Sequence, residues 1–159
     1  MQPITRFQLL TESLNRQQRL IKFVQIRAND GISFDDLYFI ETSSGWSGIV
    51  VEPLIDLIYR LSFNYQDYPK VVPVNVAAHP TKVYETIYRV NLTCLKDFSA
   101  WAAGIASMSK SHILKNNVRN NDIISENVQC RTMMGLIRDY KCIDADVFFR
   151  LIPKVLMLK

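Results

Sequence analysis

The stretch Ile21-Lys22-Phe23-Val24-Gln25-Ile26, followed by Arg27-Ala28-Asn29-Asp30-Gly31, decides the fold. Its first part is short and β-branched, which predicts a strand. Its second part ends in Asn-Asp-Gly, a turn signal, because these residues accept left-handed backbone at little cost. Ser33 or Asp35 is then placed to cap a helix reaching about Thr42. Gly45-Trp46-Ser47-Gly48 reads as a loop, and Ile49-Val50-Val51-Glu52 as a second strand ended by Pro53. Leu54 to Asn64 has helical spacing, with Leu54, Ile55, Ile58 and Leu61 on one face. Val71-Val72-Pro73-Val74-Asn75-Val76-Ala77 reads as a third strand. Strands alternating with helices predict an α/β domain: a mainly parallel sheet in a three-layer, Rossmann-like arrangement with right-handed crossovers. Strands covered on both faces explain apolar runs that do not alternate.

The remaining chain is read outward from this half. Phe7, Leu10, Leu14 and Leu20 predict an N-terminal helix within residues 1–20. Lys82 to Asn91 reads as an extra strand, and Phe98 to Leu114 is less regular. Ile123 to Cys130 reads as a strand, Thr132 to Tyr140 as a helix, and Ile143 to Phe149 as the opening of a fourth sheet strand. The expected organisation is one domain over residues 1–159. It holds a ligand-binding half at 21–80, an insert with the start of the fourth strand at 81–149, and a tail at 150–159.

Composition narrows the class. The chain has 159 residues, 48% hydrophobic and 21% charged, which excludes a disordered or fibrous protein. A net charge of +4 with scattered bases does not support nucleic-acid binding. No apolar run approaches the ~18 residues of a membrane span. No signal-peptide core follows Met1 to Arg6. Cys94, Cys130 and Cys142 show neither a disulfide framework nor zinc spacing, so core thiols in a reducing cytoplasm are expected. Two histidines, His79 and His112, argue against a His-rich metal site, and no metal is expected.

In an open parallel sheet, ligands bind beyond the carboxyl ends of the strands. Two features fall there: the bend Ala28-Asn29-Asp30-Gly31, and Glu52, 21 residues beyond Gly31. Such a carboxylate can accept both hydroxyls of a nucleoside ribose, while the tight bend lets a ligand approach the backbone. A dinucleotide site normally carries G-x-G-x-x-G, whereas this bend holds one glycine. A cofactor without phosphate fits better, S-adenosylmethionine above all.

These same residues carry a family resemblance. Phe23-Val24-Gln25-Ile26-Arg27-Ala28-Asn29-Asp30-Gly31 resembles the first motif of FkbM-type methyltransferases, F-V-Q-I-G-A-N-D-G. Gly45-Trp46-Ser47-Gly48-Ile49-Val50-Val51-Glu52-Pro53 resembles their second, G-W-x-G-I-V-V-E-P. Asn64-Tyr65, Val74-Asn75-Val76-Ala77 and Trp101-Ala102-Ala103-Gly104-Ile105-Ala106-Ser107 with His112 continue the likeness, which covers about Ile21 to Phe149. The resemblance implies a class I methyltransferase fold and methyl transfer from S-adenosylmethionine, typically to a hydroxyl oxygen of a small molecule or glycan. It places Ala28, Asn29, Asp30 and Gly31 along the methionine end of the cofactor, Glu52 on the ribose, and Val76 and Ala77 near the adenine.

The chain departs from the family at two places. The family has glycine where this chain has Arg27, so a positive φ, strain of order 1–3 kcal/mol and weakened cofactor binding are expected there. An alternative reading has Arg27 reach the cofactor carboxylate. The second departure is the tail Arg150-Leu151-Ile152-Pro153-Lys154-Val155-Leu156-Met157-Leu158-Lys159, where the family has an acidic I-D-x-E-G motif. One allowed set of codons for this tail, read in the neighbouring frame, spells Ser-Ile-Asp-Thr-Glu-Gly-Phe-Asp-Ala-Glu. The expectation is a frameshift near Phe149, a missing C-terminal part of the sheet, and an open edge prone to self-association.

His112 is the candidate base near an acceptor oxygen, because histidine titrates near neutrality. His79 is expected to cap a loop, and Asp144 and Asp146 to be solvated charges. Tyr59, Tyr65, Tyr68, Tyr84 and Tyr88 are expected to pack half-buried. The rival functions are a non-catalytic remnant with weak or no cofactor binding, and a nicotinamide-dependent oxidoreductase.

Overall fold

Four parallel strands form the first sheet of the computed structural model, which describes residues 21–33, 35, 37–144 and 147–150 together with 9, 12, 13 and 16. These strands are β1 (Lys22–Ile26), β2 (Ser47–Val51), β3 (Val71–Val74) and β8 (Val147–Arg150). Their order is β3-β2-β1-β8, with Ile26 opposite Val51 and Val51 opposite Val74. The expected β–α–β–α–β unit is therefore present, and the strand expected within Ile143 to Phe149 lies beside β1. Leu9, Glu12, Ser13 and Arg16 are helical. The rest of the expected N-terminal helix, Asp146 and the tail from residue 151 lie outside the described residues.

Helices cover both faces, because alternate strand residues are apolar on each side. Phe23, Val50 and Val71 pack with Leu37, Ile58, Leu61 and Tyr65 on the face carrying α1 (Tyr38–Ser43) and α2 (Ile55–Asn64). Val24, Ile26, Ile49, Val51 and Val74 pack with Leu136 and Ile137 of α4 (Met133–Asp139) on the other. Thr132 caps α4, its hydroxyl accepting the Gly135 N–H at 3.0 Å. Gly48 sits where β1 and β2 approach most closely: a Cβ there would lie 2.1 Å from the Phe23 carbonyl oxygen.

The second sheet was not expected as a separate unit. It runs β4-β7-β5-β6, from β4 (Ala77–Ala78), β5 (Tyr84–Val90), β6 (Ala106–Ser107) and β7 (Ile123–Arg131). Only β4 and β7 run parallel; β5 is antiparallel to β6 and β7. Two 3-10 stretches, Leu92–Asp97 and Ala100–Gly104, and the short helix α3 (Lys110–Leu114) fill the connections around β6. Leu54 and Leu57 join the two sheets by packing with Ala77, Ile87, Val128 and Cys130.

Several boundaries differ from the sequence expectation. Ser47 and Gly48 belong to β2, since their flank is held by Ser47 N–H to Ile21 O and Gly48 N–H to Lys70 O. The third strand breaks after Val74, and Ala77 crosses into the second sheet. On α2 the buried residues are Leu57, Ile58 and Leu61, whereas Ile55 is 51% exposed. Leu54, Ile58 and Leu61 are buried as expected, and Leu57 joins them because residues three and four apart share a helix face, while Ile55 lies one position round from Leu54. Tyr59 and Tyr84 are exposed rather than half-buried, while Tyr65 is buried and stacks edge-on against Tyr38 and Tyr68. Cys130 and Cys142 are buried and Cys94 half-buried, all as free thiols. No described helix is long and apolar enough to cross a membrane.

Candidate functional site

The bend after β1 is built by left-handed backbone. Arg27, Asn29 and Gly31 have φ of 65°, 55° and 81°. This turn points the N–H groups of Arg27 and Ala28 at one acceptor, the Val51 carbonyl, at 2.9 and 3.0 Å. Asp30 closes the bend from within. Its carboxylate accepts the N–H groups of Ile32 and Ser33 and the Ser33 hydroxyl. Burial raises its pKa, but those Ser33 and Ile32 hydrogen bonds outweigh it and hold the carboxyl below its ordinary value. Asn64 of α2 donates its Nδ2 to the Asp30 carbonyl at 2.7 Å. Gly31 is required twice over: a Cβ would meet Leu61 and Tyr65 at 2.8 Å, and its φ is positive.

Glu52 follows β2 and reaches directly onto this bend. Its Oε2 accepts the Asn29 N–H at 2.9 Å and its Oε1 the Leu54 N–H at 3.1 Å. Its main chain is fastened to the end of β3, through Glu52 N–H to Val74 O at 3.0 Å. Asn75 bonds the Glu52 and Pro53 carbonyls from the same side. The carboxylate is only 4% exposed. Desolvation pushes its pKa up to about 7, against the pull of the Leu54 and Asn29 N–H groups and the charges of Arg27 and Arg89.

The remaining sequence candidates sit differently. Ala28 is fully buried and packs into the core beside Phe23 and Leu37, so its backbone faces the bend and its side chain does not. Val76 and Ala77 lie just past Asn75 but are buried in two different apolar clusters. Asn29 is half-exposed. His112 is half-buried on α3, and no hydrogen bond or ion pair among the described residues joins it to Glu52 or the bend. His79 caps its loop as expected, Nδ1 accepting the N–H groups of Thr81 and Lys82. Asp144 is an exposed charge paired with Lys22 at 2.8 Å. Among the described residues no group of three or more His, Cys, Asp or Glu side chains is placed to hold a metal ion.

The supporting roles of three residues escaped the sequence reading, although two of them stand in stretches that carry the family likeness. Asn75 and Asn64 act through side-chain bonds to distant carbonyls, which no periodicity reveals. Arg89, 3% exposed on β5, pairs bidentately with Asp56 at 2.5 and 3.1 Å and reaches Glu126 at 3.2 Å. That ion network fixes the first turn of α2 against the second sheet, just beyond Glu52.

A parallel sheet with helices on both faces and an acidic residue closing the second strand define a Rossmann-like domain of the methyltransferase type. The family comparison agrees with this class: the model of the FkbM methyltransferase domain matches residues 25–148, and the chain belongs to that family. Comparison with curated proteins and with solved structures gives no match.

Proposed function

We propose that the chain binds S-adenosylmethionine across the bend and Glu52 and directs its methyl group to a hydroxyl oxygen. The observation that carries this reading is the contact of the Glu52 carboxylate with the Asn29 N–H. With the Leu54 N–H on Oε1, that contact on Oε2 fixes both oxygens at the strand ends, and each oxygen keeps a lone pair for a ribose hydroxyl. The residues therefore fit an adenosine sugar. They fit a pyrophosphate poorly, because the N–H groups of Ala28, Gly31, Ile32 and Ser33 already donate within the protein.

In this reading Glu52 holds the ribose, the backbone of Ala28 to Gly31 borders the methionine end, and Val76 and Ala77 border the adenine through their main chain. The bound cofactor supplies a methyl group on a positively charged sulfur. The protein's contribution is to hold the acceptor oxygen in line with it, worth far more than a general base for such a leaving group. The acceptor class is a small molecule or glycan bearing a hydroxyl. Three free thiols suit a reducing compartment such as the cytoplasm. The proposed organisation is one domain, and β8, at an edge of the first sheet among the described residues, is a surface on which a second copy could pair.

Calorimetric titration of the chain and of Glu52→Gln with S-adenosylmethionine, S-adenosylhomocysteine and NAD tests the reading. Binding of the two adenosyl ligands, loss of about tenfold or more in the variant, and no binding of NAD are expected. NAD binding, or equal affinity in the variant, would overturn it. Turnover on a hydroxylated acceptor separates an active enzyme from a binding-only remnant.

A further inference from the structure

The second sheet presents alternate residues of two strands to the start of α2: Ile87 and Arg89 from β5, Glu126 and Val128 from β7. Ile87 and Val128 pack with Leu54 and Leu57. Arg89 pairs bidentately with Asp56, which lies between those leucines in the chain, and also reaches Glu126. Two residues before Asp56, the Leu54 N–H meets Glu52 Oε1 at 3.1 Å. The turn that holds one oxygen of Glu52 is therefore seated on the second sheet by an apolar contact and a buried cation. That cation is fixed. Burial opposes the Arg89 charge, but Asp56 and Glu126 outweigh burial and hold the guanidinium pKa above its ordinary value. Well-packed apolar residues would fasten this turn as firmly as a buried ion pair, so stability alone leaves the ions unexplained.

We propose that Arg89 is a positioning residue for Glu52: from the second sheet it seats the turn whose Leu54 N–H holds one carboxylate oxygen, and its fixed charge acts on the same anion. Its part in ligand binding rests on the reading of Glu52 as the sugar-binding carboxylate. Glu52 is almost wholly buried, so little water stabilises its charge. Burial pushes its pKa up to about 7, while the charges of Arg27 and Arg89 favour the ionised form that a sugar hydroxyl needs. The charged groups around it are Arg27 of the bend, Arg89 of β5, Asp56 of α2 and Glu126 of β7. Asp30 of the bend is engaged by Ile32 and Ser33, and the β3 side supplies the uncharged Asn75. Asp56 and Glu126 neutralise part of the Arg89 charge. Loss of the Arg89 charge therefore makes the Glu52 anion harder to form. Loss of the Asp56 charge makes it easier, because more of the cation is left uncompensated.

Carbon-detected NMR of the Glu52 side-chain carboxyl, in the full chain without ligand and assigned through Glu52→Gln, reads its titration directly. Arg89→Gln is expected to move the Glu52 midpoint to higher pH and Asp56→Asn to lower pH, each by about half a unit or more. Arg89→Lys, which keeps the charge, should stay close to the parent. The pH at which S-adenosylhomocysteine binding reaches half of its alkaline affinity should shift in the same order. Unmoved midpoints, or shifts of one sign in both variants, overturn the proposal, since a purely mechanical brace would loosen the site alike whichever partner is lost. Should Arg89→Gln fail to fold, Asp56→Asn decides alone: a shift to lower pH upholds the role, and an unmoved or higher midpoint overturns it. Opposite shifts in a chain that binds no S-adenosylhomocysteine remove the sugar-binding reading, and with it the part of Arg89 in ligand binding. Unmoved midpoints in a chain that does bind remove the Arg89 role alone.

Discussion

Asn29 and Glu52 meet at 2.9 Å although 23 residues separate them, because parallel β1 and β2 bring their carboxyl ends to one edge. The backbone N–H of one and the carboxylate of the other form the centre of the proposed ligand site. A shortened residue 52 therefore frees the N–H groups of Asn29 and Leu54, and glutamine, with one acceptor oxygen, leaves one of the two unpaired.

Affinity for an adenosyl ligand should depend on pH through Glu52. Sugar hydroxyls donate to the ionised carboxylate, and burial pushes the pKa of the free site up to about 7. Binding must then expel the proton below that value. S-adenosylhomocysteine affinity is expected to rise through neutrality, about tenfold weaker at pH 6 than on the alkaline plateau. Calorimetry in two buffers of different ionisation enthalpy would show proton release at pH 6; a flat profile with no release counts against the assignment.

Stability should fall as pH rises, chiefly through Glu41. This α1 residue is 1% exposed, and its Oε2 accepts the Tyr65 hydroxyl at 2.6 Å. Desolvation pushes its pKa from 4.5 up to about 8, against the Tyr65 hydrogen bond. The folded state therefore keeps a proton that the unfolded state loses. The contribution is complete below about 4.5 and is lost as pH climbs to about 8. Unfolding free energies from urea titrations at pH 5, 7 and 9 should decline by about a few kcal/mol in total. Glu41→Gln, which can still accept from Tyr65, should remove most of the decline; an unchanged slope contradicts the assignment.

Three glycines should rank by what a methyl group would strike. Gly48→Ala drives a Cβ into the Phe23 carbonyl, which is backbone and cannot step aside. Gly31→Ala meets two side chains at 2.8 Å and adds left-handed strain, so about 2–4 kcal/mol is expected. Gly45→Ala meets nothing within 4 Å and carries strain alone, about 1 kcal/mol. Thermal unfolding of the three should place Gly48→Ala lowest and Gly45→Ala nearest the parent. A different order refutes the packing argument.

Removing Arg89 should be costly. Arg89→Ala strands Asp56 and Glu126 beside a buried gap, which predicts a loss of about 3 kcal/mol in denaturant unfolding. The double variant with Asp56→Ala should recover part of it, since one unpaired charge goes too. Additive losses would show that the pair contributes no coupling.

Much of the first sheet was legible in the chain because its signals are local. The β-branched run before Arg27, the Asn-Asp-Gly bend and the Pro53 stop each act within a few residues. The positive φ at Arg27 was legible as well, from the contrast with glycine in the family pattern. The second sheet was not legible, because β5 pairs with β7 across more than thirty residues and a pairing partner leaves no mark on a strand's own pattern. The inward face of α2 was legible in Leu54, Ile58 and Leu61, which are buried, but not at Ile55 and Leu57, where the structure buries the second and exposes the first.

Strand, turn and helix, and the presence of one acidic residue after the second strand, follow from short-range chemistry of neighbouring residues. That the Glu52 carboxylate touches the Asn29 N–H, that Asn75 and Val74 fix its main chain, and that Arg27 spans to Ala106 follow from packing. Each of these contacts joins segments brought together by the parallel crossovers and by the seating of α2 between two sheets. Burial there also sets the protonation of Glu41 and Glu52, since desolvation depends on every surrounding element and on no single stretch of chain.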